Sequence, residues 1–402
     1  MPQGGAEDGA PGATRAPAAL TIMAVYFVAA VGLSNWFPRI PDMQQRLDLS
    51  PSTLAICLLG MSIGSLGTTF FAGPLVDRWS PRRTMVVGMV LFAISLCVLG
   101  HAWNAPSLFA MMVLLGVGYV TLDVATNVEA ARIQESVGRR IMSTCHGIWS
   151  VGAFTGAVIG GSVAEAGLPI WQHLTLTAAV ILPAGLIVVG LLPPTAPRPS
   201  ESARGPRVAV PTVAMLGLCL YAFGTILAEI TTRNWGAVFL REVVGASAAA
   251  TGWGLGLFSV MMAAGRLSGD RLSEAFGAAT VGRACAIAAV LGMLLLVTSS
   301  ALPVAFAGCA LIGIGVSVGF PLSISAAAAL GDRAPALNVA ALSLIAYSGS
   351  LIGPPLVGFV ADGAGLRIGM ATLLPLMIVS ALFAGALGQG NRKTAEASPS
   401  SR

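Results

Sequence analysis

Asp123 lies in the stretch LLGVGYVTLDVATNVEAARIQE, Leu114 to Glu135, with no basic residue nearer than Arg132 and some twenty uncharged residues ahead of it from Ala102. An ionised carboxylate at the centre of an apolar membrane helix costs at least ~2.5–3.5 kcal/mol, so an acid kept there faces a bundle interior and has a task. A carboxyl group whose charged and neutral forms are both within reach can load and release a proton. The other use of such a group is structural, tying its helix to a neighbour. Asn127, four residues on, shares the face of Asp123 and can bond a solute or the acid. Glu229 is a second candidate, near the outer end of its apolar run, but Arg233 stands four residues later and makes an ion pair as good an explanation as proton transfer. His146 can relay protons or simply pack. Trp36 and Trp149 can stack on a solute or anchor span ends at the membrane interface.

The surroundings of these groups are set by composition. Of 402 residues, 55% are apolar and 10% charged, too few charges to coat a water-soluble core of this size. The solvent for most of the chain is therefore lipid. At about 20 residues per crossing, twelve runs qualify: Leu20 to Phe37, Ser52 to Val76, Thr84 to His101, Pro106 to Val128, Ile141 to Ala164, Ile170 to Leu192, Pro211 to Thr232, Ala249 to Gly269, Thr280 to Ser300, Leu302 to Leu330, Asn338 to Ala361 and Leu366 to Gly388. The fold class is an all-α membrane protein. Residues 1–19 and 389–402 read as disordered tails, 20–192 and 211–388 as six-helix bundles, and 193–210 as a linker. The net charge of +5 comes from basic residues clustered between apolar runs, which excludes a nucleic-acid face. With both termini in the cytoplasm, the loops on that side hold 17 of the 22 basic residues, as the positive-inside rule requires. The six cysteines lie singly inside apolar runs and read as packing residues. No metal centre or cofactor is expected, and three scattered histidines without a nucleophile or acid pair argue against an enzyme. A channel would need a continuous polar lining that these runs lack.

The two bundles repeat one unit. LLGVGYVTLD from Leu114 matches LIGIGVSVGF from Leu311, GAFTGAVIG from Gly152 matches GSLIGPPLVG from Gly349, and Ser50 pairs with Ser247, all at a spacing of 197 residues. Asn35-Trp36 returns as Asn234-Trp235, and GPLVDRW from Gly73 as GRLSGDRL from Gly265. Six plus six helices and the loop GPLVDRWSPRR, Gly73 to Arg83, resemble the major facilitator superfamily of secondary transporters. Gly73, Asp77, Arg78, Arg82 and Arg83 fit that family's loop motif, with Ser80 in place of a glycine, and Gly265, Asp270 and Arg271 repeat it in the second half. The resemblance implies close helix approach at Gly73 and an acid that latches onto the opposite half during gating.

The stretch around Asp123, MSTCHGIWSVGAFTG from Met142, AEITTRNWGAVFLRE from Ala228 and YSGSLIGPPLVGFVAD from Tyr347 are similar to helices of the bacterial branch related to fucose and proton symporters. Those symporters carry an acid in the first helix, where this chain has Ser34 and Asn35. On this likeness the substrate cavity would include Asn35, Trp36, Asn127, Trp149 and Tyr347. Gly152, Gly156 and Gly160 place small residues along one helix face for close packing, and Gly353-Pro354 is the repeat copy of a signature found in the family's proton antiporters. The reading is a monomeric, proton-coupled transporter of a small molecule in the cytoplasmic membrane, working by alternating access. Its partners are the solute, protons and the bilayer. Uptake of a sugar-like solute and proton-driven efflux of a drug-like compound both remain open.

Overall fold

A computed structural model describes residues 15–193 and 210–388. The linker and the C-terminal tail read from the sequence lie outside the described residues, apart from positions 193 and 210, and so does the N-terminal tail up to residue 14. Residues 15–19, assigned above to that tail, instead open the first helix.

The first bundle consists of α1 (Arg15–Ser34), the short α2 (Ile40–Arg46), α3 (Pro51–Trp79), α4 (Pro81–Leu99), α5 (Ala105–Val137), α6 (Met142–Glu165) and α7 (Ile170–Leu191). The second consists of α8 (Leu216–Glu242), α9 (Ala248–Phe276), α10 (Ala278–Thr298), α11 (Leu302–Val316), α12 (Gly319–Ala328), α13 (Pro335–Ala364), α14 (Leu366–Ala371) and α15 (Leu373–Phe383). Among the described residues, twelve stretches are long and apolar enough to cross a membrane. The tenth is two helices, α11 and α12, in line, and the twelfth comprises α14, α15 and a final turn of 3-10 helix. Large side chains such as Phe71, Ile187, Leu191 and Leu382 are exposed, which in a bundle this apolar marks the surface that meets lipid chains.

The repeat is structural as well as textual. Ser50 and Ser247 cap α3 and α9, their hydroxyls accepting the backbone N–H of Thr53 (3.2 Å) and Ala250 (3.3 Å). Gly116 and Gly118 leave no room for a methyl group because α5 wedges them against the backbones of α3 and α4. Their repeat partners, Gly313 and Gly315, wedge α11 against α9 and α10 in the same way. One small residue facing each neighbour is how three helices approach closely where lipid supplies no hydrophobic drive.

Several helices run further than the hydropathy pattern predicts. α3 continues to Trp79 and α9 to Phe276, so Asp77, Arg78, Asp270 and Arg271 sit in last turns of helices and not in loops. The join between α3 and α4 is Ser80 alone, at φ 82°, ψ 153°. α8 continues ten residues past Thr232 because the polar run Thr231-Thr232-Arg233-Asn234 faces inward, with both threonines fully buried. That puts Glu229 near the middle of α8 and not near its outer end, and places Arg233 within the helix, past the expected end at Thr232.

Candidate functional site

The two bundles meet along α6 with α9 and α3 with α13. At the end marked by Ser50 and Ser247 they are joined by polar contacts. Arg241 on α8 lies 3.4 Å from Asp42 on α2, and the Glu165 carboxylate at the end of α6 accepts the Ala249 N–H at 3.0 Å, capping α9 across the interface. Gly161 of α6 and Gly252 of α9 pack backbone to backbone beside these contacts. Deeper in, Ser62 of α3 donates to the Ser350 carbonyl of α13 at 3.0 Å.

Beneath this closed end lies a cavity of about 410 Å³, walled by both bundles. α3 supplies Met61, Ser62, Ser65 and Thr69, and α5 supplies Tyr119 and Asp123, while α8 contributes Ile230, Arg233 and Asn234 and α13 contributes Tyr347 and Ser350. Thr69 and Tyr347 are exposed, so the cavity opens toward the other end, where Asp77 and Asp270 are. The wall is mostly apolar with a few converging hydroxyls and two formal charges, the usual make-up of a small-molecule site.

Arg233 belongs to a cluster that spans the bundles. The Arg233 guanidinium donates to Glu229 at 2.7 Å, one helical turn away, and lies over the Trp149 ring of α6 at 4.8 Å from its centre. Trp149 in turn donates its indole N–H to the Tyr119 hydroxyl at 3.1 Å. Arg266 of α9 reaches both oxygens of Glu229 at 3.4 Å and the Ser317 carbonyl at 3.4 Å. The Glu229 and Arg233 side chains are only 14% and 20% exposed, and removing one partner of so enclosed a pair typically costs ~3–5 kcal/mol.

Sequence reasoning brought Asp123 and Tyr347 to this cavity, and the structure puts both on its wall. Trp149 stands just behind Arg233. Asn127 is not on the wall: its amide donates to the Asp123 carbonyl at 2.8 Å and its oxygen accepts the Tyr26 hydroxyl at 2.8 Å. Both of its bonding sides are used within the bundle in this structure. His146 packs edge-on to Tyr26, 5.4 Å between ring centres. Asn35 and Trp36 are buried away from the cavity, and the Asn35 amide oxygen accepts from His173 Nε2 of α7 at 3.0 Å. Their buried position follows from the turn of chain after Ser34, which folds the polar pair back into the bundle.

The loop residues fare differently from one another. At Gly73 a methyl group would meet open space, so no close approach requires that glycine here, whereas Gly265 is pressed against Ser317. Arg82 donates to the Gly190 carbonyl of α7 at 2.6 Å, a contact within its own bundle. Arg78, Arg83, Asp270 and Arg271 are exposed. Gly152 and Gly156 abut the α1 backbone at Phe27 and Val31, and Gly160 abuts the backbone of Asn35 just past the end of α1. Gly353 abuts Thr231 of α8, and the Pro354 carbonyl accepts the Trp235 indole N–H at 3.2 Å. Gly161, the neighbour of Gly160, faces the opposite bundle instead.

Sequence reasoning missed Arg266, Tyr119 and the buried acid Glu129 of α5. Arg266 had a signal: it stands one residue after Gly265 in the middle of an apolar helix.

The comparisons with known proteins agree with this architecture. Residues 22–239 match the profile of the Major Facilitator Superfamily. The transporter y4wD of Sinorhizobium fredii is 30% identical over a match that covers 86% of this chain and 92% of that protein. An MFS-type transporter of Yersinia pestis is 28% identical, covering 90% of this chain and 94% of its own. Among solved structures, a bacterial homologue of the human lysosomal transporter Spinster, inward-facing and occupied, superposes with a TM-score of 0.73 at 16% identity, over 96% of this chain and 99% of that one.

Proposed function

Because the chain belongs to the major facilitator superfamily, whose members are transporters, we propose that it moves a small organic solute by proton-coupled alternating access, with Asp123 as the coupling carboxylate. The observation that carries this reading is the place of Asp123: on the wall of the cavity between the bundles, where solute and proton can meet. Rocking the bundles would close the end bearing Asp77 and Asp270 and open the end held by Glu165 and Asp42. In that second state the exposed Asp270 and Arg271 would come to the interface, which is the gating role the loop motif implies.

Asp123→Asn keeps the size and a hydrogen-bonding group but cannot titrate. Proteoliposomes carrying this variant are expected to exchange solute down its gradient and to lose accumulation driven by a pH jump. Accumulation at the wild-type level would make the carboxylate structural. The same assay decides direction, since uptake symport moves protons inward with external solute and efflux antiport moves them the other way. The likeness of α5, α6, α8 and α13 to the fucose and proton symporter branch supports uptake. The excess of basic residues in the loops on one side supports a cytoplasmic position for both termini, and reporter fusions at residue 200 and after Gly388 are expected to read inside.

A further inference from the structure

The charge balance of the cavity carries the argument from transporter to substrate class. Arg233 and Arg266 share one carboxylate, Glu229, which leaves one uncompensated positive charge on the second bundle's side. Of the three groups, Arg233 is the one on the cavity wall, and the wall's single carboxylate is Asp123, on the opposite bundle. With Asp123 ionised, the charges of Asp123, Arg233, Arg266 and Glu229 sum to zero. With Asp123 protonated, Arg233, Arg266 and Glu229 keep a net charge of one between them, and Arg233 presents it to the cavity, its guanidinium resting on the Trp149 ring and carrying donors suited to a carboxylate.

We propose that the solute is a small organic monoanion whose carboxylate docks on Arg233 and enters together with a proton on Asp123, so that one anion and one proton cross as an electroneutral pair. The proposal rests on the transporter reading above. A single uncompensated charge suits a monocarboxylate and leaves the second charge of a phosphate monoester unmatched. A cationic solute would have to lie beside Arg233 with only Asp123 to balance it. The hydroxyls of Tyr119, Ser62 and Ser65 offer hydrogen bonds to a polar tail, and Met61 and Ile230 offer apolar surface to its body.

The order of binding follows from electrostatics. Asp123 has Tyr26 of α1, Tyr119 of its own helix and Tyr347 of α13 as titratable neighbours, and Arg233 lines the same cavity from α8. His146 of α6 stands behind Tyr26, and Arg266 acts from behind Glu229. The tyrosines are neutral in either state of Asp123, so the change that matters is the loss of its negative charge. An anion and an ionised Asp123 would compete for Arg233, whereas an anion and a proton on Asp123 favour each other.

The test uses purified full-length protein and matched sets of small ligands, each skeleton presented as a monocarboxylate, its uncharged amide and the corresponding amine. Thermal shift and calorimetry are expected to find stabilisation among the carboxylates, with uptake of about one proton per bound anion in weakly buffered solution. Arg233→Gln is expected to weaken the binding of those carboxylates at least tenfold, the order expected for a hydrogen-bonded charge. Arg233→Lys, which keeps the charge but not the fork, is expected to recover part of that binding, an outcome that mere loss of folding would not produce. Stabilisation confined to amides or amines, no stabilisation by any carboxylate, or carboxylate binding indifferent to Arg233→Gln would each overturn the proposal. Carboxylate binding that depends on Arg233 but brings no proton would overturn the paired entry and the coupling role of Asp123 while leaving the anion site standing. Proton-driven uptake of an uncharged solute that depends on Asp123 would do the reverse.

Discussion

Arg233 is held by three contacts of different kinds: the Glu229 carboxylate, the Trp149 ring and the Met262 sulfur at 3.5 Å. Trp149 also carries the Tyr119 hydroxyl, so it couples the two bundles across the cavity. A guanidinium over an aromatic face gains ~0.5–2 kcal/mol. Trp149→Leu is accordingly expected to weaken ligand binding by roughly 3–30-fold, read by calorimetry on a ligand that stabilises the wild type. Trp149→Phe keeps a ring under Arg233 and loses only the indole donor, and should lie between the two. Equal binding by all three would mean that the ring does not support the arginine. At this scale the sequence offered the residue types but not their partners. Arg233 four residues after Glu229 is a local pattern for which an ion pair and proton transfer were both open readings, whereas Arg266, Tyr119 and Trp149 join it only through contacts between helices far apart in the chain.

The joint between α3 and α4 belongs to the scale of elements. Ser80 takes φ 82°, ψ 153°, and its counterpart in the repeat, Gly277, takes φ 84°, ψ 141° between α9 and α10. This region of backbone space suits glycine, and a side chain there costs on the order of 1–3 kcal/mol. The first half thus bears a strain that the second half avoids with the residue the family motif prescribes. Ser80→Gly is expected to raise the midpoint of thermal unfolding in detergent, with a gain of about 1 kcal/mol or more, and Gly277→Ser to lower it by a similar amount. No change in either variant would show that the joint relaxes freely. The helix ends themselves were misjudged because charged last turns look like loops to a hydropathy count, although they are helical turns emerging from the apolar layer.

For the whole molecule, the question is which end opens. The closed end is held by exposed or half-buried pairs, Glu165 on the N-terminus of α9 and Asp42 with Arg241, each worth little alone in water. Weak ties suit an interface that must break in every cycle. The double variant Asp42→Asn, Glu165→Gln is expected to shift the population toward opening at this end. Spin labels on Gln45 and Glu242, exposed on opposite bundles, should then report longer distances than in the parent. An unchanged distance distribution would assign the closure to the Gly161 and Gly252 backbone contact instead.

Lipid as the solvent, twelve crossings, the duplicated unit and an acid of unusual placement were all determined by the sequence alone. Each depends on composition, on length along one helix or on a spacing of 197 residues, and none requires knowing which helices touch. The tertiary structure decided what those elements face. It brought Arg233 and Asp123 to one cavity, turned Asn127 inward to Tyr26, buried Asn35 and Trp36 in the first bundle and aimed Gly161 at the opposite bundle. The physical reason is the nature of an apolar helix in a membrane. Nearly every side is hydrophobic, so sequence periodicity scarcely distinguishes the side that meets lipid from the side that meets a neighbour or a cavity. Only the packing of small residues against specific backbones fixes that rotation, and with it the side on which the few polar groups meet.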